Sequence, residues 1–335
     1  MDFLNMFSKT KMPTHPLKKK QPARPEKKSS TPKYTSTTRG DSWWVRATRG
    51  IVHLLLSDPF PEAYQRALKG CQTSVITGRR IGITSPLGGA GASSTVALLG
   101  HQLANGRKES ILAVDVLNRD GATLRRLGPR NPRKVSDERG LALLSELMNQ
   151  KNTAVNQNYR TFSDEINRYL RYIPWGESEE HLDDKALLHN SFQFLSEKAS
   201  VALLDLPMTE QVINAFYPGL HALIVPIPMY PAAIDVSEAF CKYIHERFPH
   251  IGIIPILVDS IHASPKQIRA TKQAVRQTNL RTYLPASRKH YLPELSFDAH
   301  VATGGRLNMD LLSERLRLQT AQLGATVLAV AKAAS

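Results

Sequence analysis

The chain has 335 residues, is 41% hydrophobic and carries a formal charge of +15. Its length and apolar content allow one sizeable core, and a single large domain with a tail fits better than two small ones because the composition changes near residue 40. Cys71 and Cys241 are far apart and lack ligand spacing, which argues against a disulfide framework and a zinc site and for a reducing, cytoplasmic setting.

Residues 1–50 hold twelve lysines and arginines against three acids, +9 of the +15. From about residue 8 to 40 the chain is rich in Lys, Pro, Ser and Thr, with Lys18–Lys20 and Lys27–Lys28, and has too little apolar surface to offset the entropy of ordering. We read residues 1–40 as a disordered basic tail. It is either a solubilising segment or a contact for an acidic surface, lipid headgroups or nucleic acid. Phe3, Leu4, Met6 and Phe7 form a small apolar tip that favours a membrane or a protein groove.

Residues 41–76 read as a helical lead-in. Trp44, Thr48, Ile51, Val52 and Leu55 share one face of a helix over 41–56, and a second helix is expected over Pro61–Lys69. Docking on the main domain is the plain reading, and an interfacial membrane helix is kept open by Trp43 and Trp44 beside arginines. No apolar run reaches the roughly 18 to 20 residues that span a bilayer, and the N-terminus lacks the apolar core of a secretory signal. Any membrane contact is therefore expected to be peripheral.

From residue 77 to 335, β-branched or leucine-rich runs alternate with helical patterns, as a parallel sheet with crossover helices requires. Strands are expected at Arg80–Thr84, Ser110–Asp115, Arg171–Ile173, Val201–Asp205, Ala222–Pro226 and Ile253–Asp259, with a seventh at Arg281–Leu284. Helices are expected at 92–106, 137–150, 187–198, 209–217, 231–247, 264–278 and 308–334. The fold class is α/β, a mostly parallel twisted sheet with helices on both faces.

The segment Ile81-Gly-Ile-Thr-Ser-Pro-Leu-Gly-Gly-Ala-Gly-Ala-Ser-Ser-Thr95 reads as a strand, a glycine turn and a helix start. In a phosphate-cradling loop, glycines let backbone N–H groups wrap a polyphosphate, a lysine neutralises the terminal phosphates and a Ser or Thr hydroxyl reaches magnesium. Gly88, Gly89, Gly91, Ser93 and Ser94 are present, whereas Ala92 stands where that lysine belongs. A glycine turn can also serve close packing alone. Asp205 ends an apolar strand, where a Walker B acid would hold the water shell of magnesium, so Ser93 and Asp205 are the candidate metal residues. A turn or capping acid is the plain alternative.

With Ile111-Leu-Ala-Val-Asp115-Val-Leu-Asn-Arg-Asp120-Gly-Ala-Thr-Leu-Arg-Arg-Leu-Gly128 these pieces resemble the ParA/MinD family of deviant-Walker P-loop ATPases over about residues 79–335. The approach through Trp43-Trp44, Gly50-Ile-Val and Asp58-Pro-Phe-Pro-Glu looks like the EspI-like branch associated with type VII secretion. The family loop reads Lys-Gly-Gly-x-Gly-Lys-Thr/Ser, its second strand ends in Asp-x-Asp, and its Walker B strand ends in Asp-x-Pro. Against that pattern Leu87 and Ala92 replace both signature lysines and Leu117 replaces the second aspartate, while Asp115 keeps the first place. Asp259 matches the position from which the family reads the base, where an acid would prefer a donor-rich edge such as that of guanine. A turn residue is the plain reading.

Phosphoryl transfer relies on positioned charge and an oriented nucleophile, so three such losses imply negligible turnover. The resemblance implies ATP and magnesium, bound weakly unless a nearby arginine such as Arg119 or Arg125 replaces the charge. A fold with no cofactor is the equal alternative. Three functions are compatible with these residues: a catalytically degenerate scaffold or regulator of type VII secretion or of polar or septal positioning, an ATPase completed by a partner or a second copy, and a DNA-associated partition protein using the tail. Partners would be a secretion or cell-division component, a homodimer mate, and an acidic membrane or nucleic acid, with the chain cytoplasmic or peripheral at the membrane.

Other chemistries fit less well. Gly91-Ala-Ser93-Ser-Thr95 lacks the closing glycine of a nucleophile elbow. His245 and His250 are spaced wrongly for a helical metal pair. Arg288-Lys289-His290-Tyr291 is a basic patch whose plain reading is a solvated loop.

Overall fold

The computed structural model describes residues 37–41, 60–75, 77–116, 122–128, 140, 163–175, 182–285 and 291–334. Residues 1–36 of the basic tail, the helix expected beyond Asp41, the helix expected at 137–150, Leu117, Arg119 and Arg288–His290 lie outside them.

Runs such as Val201-Ala-Leu-Leu and Ala222-Leu-Ile-Val are continuous rather than alternating, the pattern of strands covered on both faces. They build a sheet within the order α1 (Phe60–Cys71), β1 (Arg79–Ile83), α2 (Ala92–Arg107), β2 (Ile111–Asp115), α3 (Ala122–Leu127), β3 (Asp164–Glu165), β4 (Leu170–Pro174), α4 (Lys185–Lys198), β5 (Val201–Asp205), α5 (Glu210–Phe216), β6 (Ala222–Pro228), α6 (Ala232–Arg247), β7 (Gly252–Val258), α7 (Pro265–Arg276), β8 (Glu294–Leu295), α8 (Ala299–Ala302) and α9 (Glu314–Ala333). Spatially the strands run β3-β4-β2-β5-β1-β6-β7-β8. The β3–β4 pair is antiparallel and the remaining pairs are parallel.

The chain winds from β1 towards β2 on one side and, after β5, crosses to β6 on the other. Sheets of this kind bind ligands outside the carboxyl ends of the strands where the winding reverses. Register makes that edge acidic: Ile83 and Asp115 both stand opposite Asp205. Two carboxylates from strands 90 residues apart in sequence thus end beside the loop that follows β1.

Helices cover both faces. α1, α2 and α9 pack together as one layer; α4 packs on β1 and β5, α6 on β6 and β7, and α5 packs against α4. α2 is buried along almost its whole length from Ser94 to Arg107 because α3, α9 and the sheet surround it. α1 is fastened to this layer. Cys71 Sγ donates to Ala321 O (3.2 Å), and Arg107 Nη1 donates to the carbonyls of Cys71 (2.9 Å) and Thr73 (2.7 Å). Both cysteines are buried thiols, and burial pushes Cys71 up to about 11.

Several expectations need correction. Arg281–Leu284 is no strand: Leu280–Tyr283 is a 3-10 turn, and Leu280 and Leu284 at its ends are buried. The last helix begins at Glu314, where the Ser313 hydroxyl accepts from Leu316 N–H (3.3 Å), and Met309–Leu311 before it is a separate 3-10 turn. Asp259 falls one residue beyond β7. α3, β3, β8 and α8 are additional short elements.

His101, on α2, is 9% exposed and its Nε2 has no hydrogen-bond partner. Burial, with the charge of Arg306, pushes its pKa down to about 4. The unfolded chain therefore takes up a proton near pH 6.5 that the folded chain refuses, so stability is full above that pH and falls below it. His101 should account for about 2 kcal/mol of loss by pH 5. Denaturant titrations at pH 7 and pH 5 should show a smaller difference for His101→Gln; an unchanged difference would refute the assignment.

Candidate functional site: a phosphate-type loop with an arginine beside it

After β1, Thr84 N–H donates to Ile224 O (3.1 Å), holding the chain at the carboxyl edge before it turns into α2. The turn needs left-handed backbone at Gly89 (φ 73°) and Gly91 (φ 89°), a conformation that L side chains disfavour. At Gly88 and Gly89 the place a Cβ would occupy is open, so the loop faces a concavity rather than protein. No side chain caps α2 at Gly91. The first-turn N–H groups of Ala92, Ser93 and Ser94 have no intrahelical acceptor, and with the helix dipole they suit an anion. Thr95 Oγ1 is already committed, donating to Gly91 O (2.9 Å).

The loop forms one wall of a cavity of about 630 Å³. Gly88, Gly89, Gly91, Ser93 and Ser94 line it, and Leu87 and Ala92 stand in the same wall without charge. The same cavity is lined by Asp115, Arg126, Asp205, Asp259 and Phe297.

Asp205 is the electrostatic centre. Burial drives its carboxyl above the usual range, and hydrogen bonds from Ser93 and Thr123 and the charge of Arg126 oppose that rise without cancelling it. Asp115 is 7% exposed, and Tyr172 O–H donates to its Oδ2 at 3.4 Å. Asp259 Oδ1 accepts from Ala263 N–H (2.8 Å), and the Asp259 N–H donates to Leu295 O (2.9 Å).

Thr123 and Arg126 were missing from the sequence reading, which considered Arg119 and Arg125. Arg125 is exposed and is not part of the cavity wall. One residue along a helix turns the side chain by about 100°, which brings Arg126 to the cavity instead. The available signal was the i, i+3 spacing of Thr123 and Arg126 directly after the strand ending in Asp115.

The site fits an anion: an open cradle, an uncapped helix and a neighbouring guanidinium. A magnesium ion would have the Ser93 hydroxyl and Asp205. Among the described residues no group of three His, Cys, Asp or Glu could hold a metal alone, so phosphate oxygens and water would complete its shell, as is usual for magnesium.

A larger cavity, about 1190 Å³, opens at the amino-terminal edge of the sheet. Its arginine is fully engaged: Arg80 Nε donates to Gly219 O (2.6 Å), Nη1 bonds Phe192 O (3.3 Å) and Ser196 Oγ, and the guanidinium lies 5.3 Å from the Phe192 ring centre. No helix among the described residues is long and apolar enough to cross a membrane.

The fold is that of the ParA/MinD P-loop ATPases. The chain is similar to a ParA family ATPase from Chlorobium tepidum TLS, at 16% identity over 77% of this chain and 97% of that one, with a TM-score of 0.50. It is likewise similar to a plasmid partition protein from Borrelia burgdorferi B31 bound to AMPPNP (13% identity, 72% and 96% coverage, TM-score 0.54). A third is the septum site-determining protein MinD complexed with Mg-ADP from Pyrococcus horikoshii OT3 (16%, 73% and 94%, 0.51). No protein-family model matches the sequence, and no curated protein matches it.

Proposed function

We propose that this chain binds a nucleoside di- or triphosphate at the loop Gly88–Ala92, turns it over negligibly, and works as a scaffold or regulator whose docking surfaces respond to occupancy. The observation that carries this reading is one cavity in which an open glycine cradle, Ser93 and Asp205 are retained while Leu87 and Ala92 are apolar. Structures of the same fold hold AMPPNP and Mg-ADP, which supports the ligand class. Fold alone does not assign function; the residues of the site carry the argument.

In this reading the N–H groups of Ala92–Ser94 hold phosphate oxygens, and Ser93 and Asp205 hold magnesium through hydroxyl and water. Bound magnesium would supply charge to the phosphates. Without either lysine the leaving group is poorly stabilised, so binding survives better than hydrolysis. For partners, the EspI-like lead-in points to a type VII secretion component, and the cations of residues 1–50 to an acidic surface.

Calorimetric titration with ATP, ADP and GTP, with and without magnesium, tests the proposal together with a phosphate-release assay. Magnesium-dependent binding with release at background supports it. No binding at millimolar nucleotide, or steady turnover, overturns it. Ala92→Lys should tighten ATP about tenfold, the contribution of a charge-assisted hydrogen bond, and still leave release at background.

A further inference from the structure

The loop has lost its cation, yet the cavity has not. Arg126, in the last turn of α3, lines the same cavity as Gly88–Ser94 and Asp205. Its Nε is buried without a hydrogen-bond partner. Its place is fixed on both sides. Leu307 N–H donates to the Arg126 carbonyl (2.8 Å), Gly128 N–H donates to Leu124 O (2.9 Å), and Thr123 on the same helix bonds Asp205. Nη1 lies 3.7 Å from the point where a Cβ on Gly304 would begin, so the guanidinium runs past a position with no side chain.

Two charges act on it: burial and neighbouring Arg125 lower the Arg126 pKa, and Asp205 opposes them. In the other large cavity, by contrast, Arg80 donates to two carbonyls and a hydroxyl. A half-buried arginine that lines the same cavity as an open anion cradle, with a donor its own fold leaves unsatisfied, suits a charged acceptor there.

We propose that Arg126 is the phosphate-binding cation of this site, entering from α3 in place of a loop lysine and taking the terminal phosphates of a nucleoside di- or triphosphate cradled by Gly88–Ala92. This rests on the nucleotide reading above. Arginine suits the task because its planar fork binds two phosphate oxygens at once and stays charged. Asp205 acts electrostatically on the same guanidinium, so a bound phosphate would compete with that carboxylate for Arg126 and leave Asp205 to magnesium.

The test titrates the full chain and its Arg126→Gln, Arg126→Lys and Arg125→Gln variants with ATP, ADP and AMP, after thermal melts establish that each is folded. Loss of one bidentate charged contact should weaken ATP and ADP by about tenfold to a hundredfold in Arg126→Gln. AMP, which lacks the terminal phosphates, should change less than twofold, Arg126→Lys should recover part of the loss, and Arg125→Gln should behave as the parent chain. Equal weakening of all three nucleotides would mean a structural role and overturn the assignment. ATP binding unchanged in Arg126→Gln would overturn it while leaving the nucleotide reading intact. Failure of the parent chain to bind any of the three would overturn both.

Discussion

Gly91→Val should abolish nucleotide binding and lower the melting temperature by about 3 to 10 °C. Gly91 has φ 89°, where a β-branched residue is strained, and a Cβ there would stand 3.2 Å from Val258 Cγ1. Strain of this kind costs about 1–3 kcal/mol, and each kcal/mol shifts the melting point of a domain this size by about 2–4 °C. The loop would relieve the strain by moving, and with it the N–H groups at the start of α2. Gly88→Ala is the comparison, because the space at its Cβ is open. It should change stability by no more than about 0.5 kcal/mol. Thermal melts and ATP titrations of the two variants check the claim; equal behaviour of the two would show that the Gly91 conformation is not what shapes the cradle.

Asp205→Ala should remove the magnesium dependence of ATP binding altogether. In the proposed site Ser93 and Asp205 would hold magnesium, and Asp205 would supply the charge. Its carboxyl is pushed above the usual carboxylate range by burial. The sign of the pH effect follows: the folded acid holds its proton to higher pH than the unfolded one, so this group favours the ligand-free fold at low pH, and that contribution is lost as pH rises through the folded value. Magnesium needs the ionised form. The gain in ATP affinity from magnesium should therefore fade on acidification at a pH above that of an ordinary Asp, and the fade should vanish in Asp205→Ala. A parent chain whose magnesium effect is constant down to pH 4 would contradict this.

The strands were largely legible because each is an apolar run bounded by turn residues: Val201–Asp205 is found as expected, and Ala222–Pro226 is extended by only two residues. The loop was legible because glycines between a strand and a helix mark backbone that turns through conformations L side chains disfavour, as at Gly89 and Gly91. Arg281–Leu284 reads as a strand edge locally, but Thr282 N–H donates to Asn279 O and Leu284 N–H to Arg281 O, which close the backbone into a 3-10 turn. α3 was overlooked since six residues carry too little periodicity to register.

Within the site the division is similar. Gly88, Gly89, Gly91, Ser93, Ser94 and Asp205 were named from local pattern, and the fold brings them to one cavity. Asp259, named for a base-reading role, lines the same cavity, and its Oδ1 accepts from Ala263 N–H.

The sequence by itself determined where β1, β2, β5, β6 and β7 run, that a glycine turn opens α2, and that Leu87 and Ala92 bring no charge to it. These follow from steric and hydrophobic constraints acting within a few residues. The tertiary structure alone decided that Asp115 and Asp205 share one register, that Thr123 bonds an acid 82 residues away, and that Arg126 rather than Arg125 reaches the cavity. Those outcomes depend on strand order and on the rotation at which a short helix is pinned, and both are set by contacts between distant segments that no local pattern encodes.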